Sequence, residues 1–310
     1  MAEPRNVEFN LFETVECAHD FPPGDLVEVP CNLCGSDTPC KLFQEGAFEI
    51  RECKNCGMVY VAPQPTPQAL RNYYDTFYTS TSATAIESWT HPASFGQARR
   101  LIEKFGPADG KLVDVGCGMG LFLQSLGQRW QLTGIEPNAN ACARAKTAVP
   151  SADIINGEIL SSPIPAESFD IATSLASLEH MADPSAVLRR IAKILKPGGL
   201  LIVRVPYLGG YLKIKQYLDA IPIQFGAPRH LFDFSPRSLR GILERNGFTV
   251  ARTFVGSRET TMRSAVAAVQ LAVKTVSKTM YYATGGTFIL PFCGSIVAVA
   301  YRSTKPAHVQ

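Results

Sequence analysis

Lys-Leu-Val-Asp-Val-Gly-Cys-Gly-Met-Gly, residues 111–120, is a short apolar run that leads directly into a turn with three glycines. The segment after it, Leu121 to Arg129, is compatible with a helix. Because glycine has no Cβ atom, the backbone can turn tightly here and a ligand can approach it closely. A strand, a glycine loop and a helix start in this order point backbone N–H groups at a bound molecule. The stretch therefore predicts a cofactor-binding loop, with an ordinary glycine-rich connection as the alternative.

The position of Asp114 indicates the charge of the ligand. The glycines follow the spacing G-x-G-x-G, which differs from the G-x-G-x-x-G of dinucleotide sites. A carboxylate just before Gly116 would repel a pyrophosphate and attract a cation. The pattern therefore favours a ligand that carries an ammonium or a sulfonium group.

Short β-rich runs alternate with helical segments over the next hundred residues. The clearest helix runs from Pro184 to Leu195, with Asp183 as its N-cap. Alternation of this kind is typical of a parallel sheet with helices on both faces, so we predict a doubly wound α/β fold. The predicted strands after the glycine loop lie at residues 131–136, 154–158, 168–174 and 199–205.

Polar residues stand where these strands end. Ligands of such sheets bind at the carboxyl ends of the strands, which is where Gly116, Glu136, Glu158 and Ser174 fall. An acid at the tip of the strand after the glycine loop can accept both hydroxyls of a ribose. We therefore interpret Glu136 as a ribose ligand, with a solvated strand-end acid as the alternative.

Several short motifs follow one another in a fixed order along the chain. They are Val113–Gly120, Gly134–Glu136, Gly157–Glu158, Phe169–Asp170, Leu178–His180 and Leu195–Gly199. Together they resemble the ordered motifs of class I S-adenosylmethionine-dependent methyltransferases. The resemblance runs from about residue 95 to residue 255, and it implies a Rossmann-like, seven-stranded methyltransferase sheet.

The resemblance also implies roles for individual residues. The loop of Gly116, Cys117, Gly118 and Gly120 would hold the methionine portion of S-adenosylmethionine. The ribose hydroxyls would go to Glu136 next to Pro137, and the adenine edge to Glu158 with Ile159. Many relatives have Asp where Glu158 stands.

Two pairs of cysteines precede this domain. Cys31-x-x-Cys34 and Cys53-x-x-Cys56 are separated by eighteen residues, a spacing typical of a two-knuckle zinc site. Four thiolates fill the tetrahedral positions of zinc, so the predicted ion is structural. Two disulfides and a redox pair are the alternatives. Nothing at the N-terminus resembles a secretion signal, which disfavours disulfides.

The motifs divide the chain into predicted parts. Residues 1–29 form a loosely ordered leader, 30–62 a zinc-ribbon module, 63–94 a Pro-rich linker with a Tyr-rich helical cap, and 95–303 the methyltransferase domain. Within that domain, two insertions at 206–229 and 257–294 are predicted to shape a lid or acceptor pocket. The order of parts is similar to that of bacterial methyltransferases of sugars and other small molecules.

The dipeptide Glu179-His180 follows the fourth core strand, near the edge where a methyl group would be presented. An imidazole with a pKa near 6.5 is suited to remove a proton at neutral pH, so His180 is the predicted general base. Glu179 would orient the ring or hold a substrate hydroxyl. The second candidate base is His230, and Tyr78 is predicted to close over the cofactor or substrate. A structural role is the alternative for each of these residues.

Three classes of function follow. The preferred one is transfer of a methyl group to oxygen or carbon of a small-molecule acceptor. The alternatives are methylation of a protein or RNA docked by the zinc module, and a non-catalytic binding protein with the cofactor fold.

Composition bears on the partners and the location. The 310 residues have a net charge of +3 with no basic run, so no obligate nucleic-acid partner is expected. Gly285, Gly286, Pro291 and Gly294 argue against a membrane span, and residues 264–294 leave room for peripheral contact with a membrane or a lipid-linked acceptor. We expect a cytoplasmic protein.

Overall fold

A computed structural model describes residues 21–80, 92–215, 224–256, 275–285 and 294–304 of the chain. Its centre is a seven-stranded sheet with the order β12-β13-β10-β9-β6-β7-β8. Strands β8, β7, β6, β9 and β10 are parallel, whereas β13 is antiparallel to both β10 and β12. The predicted doubly wound α/β sheet is therefore confirmed. These strands are β6 (Gly110–Val115), β7 (Trp130–Glu136), β8 (Asp153–Asn156), β9 (Phe169–Leu175), β10 (Leu195–Pro206), β12 (Phe248–Val255) and β13 (Ser295–Arg302).

Helices cover both faces of this sheet. Successive residues of a strand point to opposite faces, and in β6 Leu112 packs into one apolar cluster while Val113 packs into another. Helix α5 fills the cluster around Val113, and α2 fills the cluster around Leu112. The helices are α1 (Pro67–Ser80), α2 (Pro92–Phe105), α3 (Leu121–Ser125), α4 (Ala139–Ala148), α5 (Pro184–Ile194), α6 (Gly209–Lys215) and α7 (Pro236–Arg245).

Helix α5 forms where the sequence predicted the clearest helix, at residues 184–195. The Asp183 side chain accepts the backbone N–H of Ala186 at 2.9 Å, which confirms it as the N-cap. The helix ends at Ile194, and β10 already begins at Leu195.

Helix α3 is shorter than the predicted segment from Leu121 to Arg129. It ends at Ser125, because Leu126 donates back to Leu123 and Gly127 takes a left-handed φ of +70°. The turn lets the chain reverse before β7 begins at Trp130.

A second, four-stranded sheet has the order β11-β4-β3-β2. Three of its strands, β2 (Pro39–Glu45), β3 (Phe48–Cys53) and β4 (Val59–Ala62), fall in the predicted module at residues 30–62. The fourth, β11 (Phe232–Asp233), comes from the second half of the chain and pairs antiparallel with β4. The cysteine-bearing sheet therefore includes a strand that the sequence assigned to the methyltransferase domain.

The predicted leader is described only from residue 21. There the chain forms a 3-10 turn, Pro23–Asp25, and a short strand, β1 (Leu26–Val27), which pairs with β5 (Gln64–Pro65).

The two predicted insertions are described in part. Residues 206–215 hold α6, and residues 275–283 are helical, whereas 216–223, 257–274 and 286–293 lie outside the described residues. The peripheral membrane contact for which residues 264–294 leave room is therefore not tested, because most of these residues lie outside the described ranges. None of the helices in the described ranges has the length and apolar character needed to cross a bilayer.

Candidate active site

The glycine loop sits where β6 and β7 end side by side. Asp114 of β6 pairs in register with Gly134 of β7. The N–H groups of Gly116 and Cys117 both donate to the Ile135 carbonyl, at 2.8 and 3.1 Å. The loop is thus folded against the end of β7, which is why the glycines and the strand-end acid share one edge.

The glycines serve two different purposes. Gly116 has φ of +77°, and a Cβ there would lie 2.5 Å from Cβ of Ser177, so this position requires glycine for packing. Gly118 has φ of +53°, but no described atom lies within 4 Å of where its Cβ would be. Gly118 therefore faces open space, as the backbone of a ligand cradle should.

Glu136 lies directly beside this open space. Its carboxylate is 5% exposed and accepts the N–H groups of Gly118 and Asn138, both at 3.0 Å. A carboxylate has about four lone-pair positions, so two remain to accept further donors such as ribose hydroxyls. Burial raises the pKa of Glu136, while the two backbone donors favour its charged form.

Asp114 is buried at the base of the loop. Thr173 of the neighbouring strand β9 donates its hydroxyl to Asp114 at 2.6 Å. Burial is the main cause that raises the pKa of Asp114 to about 7, and the Glu136 charge adds to the effect. The charge of Asp114 therefore changes near neutral pH.

Other predicted cofactor residues lie along the same edge. Cys117, Ile159 and Ser174 are buried, and Pro137 is exposed. Ser174 contacts the Ser177 hydroxyl at 2.7 Å, so it ties the end of β9 to the following turn instead of facing the open space.

Helix α1 crosses the end of this edge. Arg71 forms an ion pair with the half-exposed Glu158 at 3.2 Å, and Asp75 accepts the Asn138 side chain at 3.2 Å. The sequence did not indicate Arg71 or Asp75, because neither belongs to a spaced motif. Their contacts place α1 next to the predicted ribose and adenine positions.

The two predicted bases lie close together. His180 ends a 3-10 turn, Leu178–His180, after β9, and its ring stacks on that of His230 with centroids 5.0 Å apart. Nδ1 of His180 lies 2.6 Å from the Arg229 carbonyl, and Nδ1 of His230 lies 3.0 Å from the Phe225 carbonyl. Since a carbonyl only accepts, each Nδ1 carries the proton, and the His180 ring has a further hydrogen-bond contact with the Ala176 backbone.

Glu179 is buried next to this pair. It is 1% exposed, and Oε1 lies 3.6 Å from Nε2 of His180. Neither of its oxygens accepts a hydrogen bond from any residue that the structure describes. Burial raises the pKa of Glu179 to about 8 and lowers the pKa of His180 to about 4, since it penalises both charged forms. At neutral pH the imidazole is therefore neutral and a weaker base than the free histidine assumed from the sequence, and the Glu179 carboxyl is mostly protonated.

Glu179, His180 and His230 also place three ligand atoms within 4.8 Å of one another. Positive charge near this carboxylate is already supplied by Arg204 and Arg229, which act to lower its pKa. The arrangement therefore suits proton transfer better than the binding of a cation.

The prediction that Tyr78 covers the site is not tested, because Tyr78 belongs to α1 but its side chain lies outside the described residues. Another tyrosine of α1 does contact the predicted bases. The hydroxyl of Tyr74 donates to the Arg229 carbonyl at 2.8 Å, and its ring meets that of His180 edge to face.

The four paired cysteines come together in the second sheet. Sγ atoms of Cys31 and Cys56 are 3.4 Å apart, those of Cys34 and Cys53 are 3.6 Å apart, and all four lie within 4.8 Å of one another. The N–H groups of Gly35 and Gly57 donate back to the Cys31 and Cys53 carbonyls, which closes both knuckles.

A family model described as a methyltransferase domain matches residues 90–253, more than half of the chain. The chain belongs to the family of class I S-adenosylmethionine-dependent methyltransferases. The matched range contains the glycine loop, Glu136, His180 and His230.

Relatives and solved structures agree with this assignment. Over 104 residues the methyltransferase is 36% identical to the ubiquinone biosynthesis O-methyltransferase of Pseudomonas fluorescens, an alignment that covers 31% of this chain and 44% of the relative. An equivalent enzyme of Stutzerimonas stutzeri is 34% identical with the same coverage. The chain thus spans less than half the length of the curated relatives it matches.

Two solved structures share its fold at low sequence identity. One is a chain of the complex between a methyltransferase activator and a methyltransferase of Haloferax volcanii, with a TM-score of 0.56, 18% identity, and coverage of 77% of this chain and 100% of the other. The other is an S-adenosylmethionine-dependent methyltransferase of Thermotoga maritima, with a TM-score of 0.51, 19% identity, and coverage of 76% and 100%.

Proposed function

We propose that the enzyme transfers a methyl group from S-adenosylmethionine to an oxygen or a carbon of a small-molecule acceptor, with His180 as general base. The observation that carries the proposal is the place of His180 at the carboxyl edge of the sheet, where the Arg229 carbonyl holds Nδ1 and the Glu179 carboxyl lies 3.6 Å from Nε2. When bound, S-adenosylmethionine supplies a methyl group on a positively charged sulfur that a nucleophile can displace directly.

The loop and the strand ends would hold that cofactor. Gly116, Cys117, Gly118 and Gly120 suit the methionine portion, since open space lies beside Gly118 and Asp114 supplies negative charge close by. The spare lone pairs of Glu136 suit the ribose hydroxyls. Pro137, Glu158 and Ile159 lie further along the same edge, on the side that we assign to the adenine.

The chain's main contribution to the reaction is alignment. Two reactants held in attack geometry can avoid about 7–11 kcal/mol of the barrier. His180 then accepts the proton of the acceptor on Nε2, the nitrogen that lies 3.6 Å from the Glu179 carboxyl. His230 lies in contact with the same ring and is the second candidate for the proton.

We also propose that Cys31, Cys34, Cys53 and Cys56 hold one structural zinc ion. Zinc–sulfur bonds of about 2.3 Å in a tetrahedron place sulfur atoms about 3.8 Å apart, close to the spacing of this cluster. Four thiolates leave no open coordination position, so the ion would support the second sheet and take no part in methyl transfer. The described cysteines are free thiols, which fits metal binding and a reducing location such as the predicted cytoplasm.

A small-molecule acceptor fits the relatives, which are named O-methyltransferases of ubiquinone biosynthesis. The alignment covers a minor part of both chains, so the acceptor of this enzyme is inferred as a class only. A protein or RNA acceptor docked through the cysteine module is the alternative, and a test that separates products by size distinguishes the two.

The test uses S-adenosylmethionine with a labelled methyl group and an extract of the source cells. We expect label in the small-molecule fraction with the wild-type enzyme and none above background with His180→Ala. Label found in protein or RNA would overturn the small-molecule acceptor, and label that does not depend on His180 would overturn the role of the base.

A further inference from the structure

Residues 224–231 form the segment that carries His230. One acidic side chain of the four-stranded second sheet, which we also call the N-terminal sheet, holds this segment. Glu45 is the last residue of β2, and its carboxylate accepts three successive backbone N–H groups of this segment. The donors are Phe225 at 2.7 Å, Gly226 at 2.8 Å and Ala227 at 2.9 Å. Successive N–H groups that converge on one anion form a strong, directional contact.

The same segment holds both histidines through its carbonyls. Phe225 accepts from Nδ1 of His230 at 3.0 Å, and Arg229 accepts from Nδ1 of His180 at 2.6 Å. Gly226 accepts the N–H of His230 at 3.0 Å and takes φ of +86°, so the turn between the donors and the histidine is tight. A shift of the segment would therefore move both rings.

Apolar packing and a further backbone hydrogen bond also fix the segment to the N-terminal sheet. Phe225 is 1% exposed and packs into the core of the N-terminal sheet with Phe48 and Ile50. Beyond the segment, Val61 of β4 donates to the Leu231 carbonyl at 2.9 Å. The N-terminal sheet thus contacts the segment near both of its ends, at Phe225 and at Leu231.

We propose that Glu45 is a positioning residue of the methyl-transfer site, through which the N-terminal sheet sets the orientation of His230 and His180. The inference rests on the proposed function, because the orientation of these rings matters for turnover only if one of them takes the proton. The proposal gives the cysteine-bearing sheet a role in the reaction itself, in place of a role in docking a protein or RNA acceptor.

The variants are Glu45→Gln and Glu45→Ala, with Glu49→Gln as the matched control. Glu49 lies on the same hairpin, and its ion pairs among the residues that the structure describes stay within that hairpin, with Lys41 and Arg51. Glutamine keeps one acceptor but turns an N–H group toward the donors, and alanine removes every acceptor. We expect label transfer into the small-molecule fraction to fall roughly tenfold in Glu45→Gln and further in Glu45→Ala, because the base is no longer aligned with the acceptor. The affinity for S-adenosylmethionine and the zinc content should stay unchanged.

A second readout keeps the inference independent of turnover. Nitrogen-15 NMR of the imidazole rings should show the His180 and His230 resonances shifted in both Glu45 variants and unshifted in Glu49→Gln. Unchanged resonances and turnover in Glu45→Ala would overturn the inference. If His180→Ala retains turnover while Glu45→Ala still shifts the ring resonances, the proposed function fails and the positioning by Glu45 stands.

Discussion

His180→Ala is expected to lower turnover by about 100-fold or more while S-adenosylmethionine binds with near-normal affinity, the size that removal of a general base produces. The imidazole follows β9 and lies next to His230, whereas the glycine loop and Glu136 stand at the ends of β6 and β7. Single-turnover label transfer measures the rate, and calorimetry measures the affinity.

His180→Asn separates the base from a structural role. The asparagine amide can still donate a hydrogen bond toward the Arg229 carbonyl, as Nδ1 of His180 does at 2.6 Å, but it cannot take a proton at neutral pH. If His180 is the base, Asn should be as inactive as Ala. Recovery of turnover in His180→Asn would show that the ring only fixes the Arg229 carbonyl.

Cys53→Ser should remove the zinc ion and destabilise the second sheet. Structural zinc contributes about 10–16 kcal/mol in small zinc domains, comparable with the whole stability of a protein domain, about 5–15 kcal/mol. Elemental analysis should find about one zinc per wild-type chain and much less in the variant, together with a lower unfolding temperature.

Cys40→Ser is the matched control for that experiment. Cys40 lies on β2 of the same sheet, and its Sγ contacts only the Lys41 carbonyl, at 3.8 Å, among the hydrogen bonds of the described residues. It should keep both zinc content and stability. Equal zinc content in Cys53→Ser and the wild type would contradict a four-cysteine site.

The central sheet could be predicted from the sequence because its signals are local. Apolar strands, helix stripes and the Asp183 cap each depend on a few neighbouring residues, and all appear where expected. The error at α3 is local too: Gly127 stops the helix through a left-handed turn that the apolar pattern does not reveal.

The contacts that complete the site link residues far apart in the chain. Glu45 meets Phe225, Arg71 meets Glu158, and Tyr74 meets the Arg229 carbonyl. No spacing rule connects such residues, because the pairs form only when distant parts of the chain pack together. The joining of β11 to β4 is the clearest case, since it merges two parts that the sequence separates.

We expect the negative charge on Asp114 to make the affinity of the proposed cofactor site depend on pH. Burial raises the pKa of this carboxyl to about 7, so it is mostly neutral below that pH and mostly ionised above it. Only the ionised form attracts an ammonium or sulfonium group. Affinity for S-adenosylmethionine should therefore fall as the pH falls through 7, by about tenfold between about pH 8 and pH 6.

Calorimetric titration of S-adenosylmethionine into wild-type protein and Asp114→Asn at these two pH values tests the cofactor site most directly. We expect one site per chain in the wild type, tighter binding at the higher pH, and in the variant weaker binding without this dependence. Absence of binding to folded wild-type protein, or identical affinities of wild type and variant at both pH values, would contradict the account.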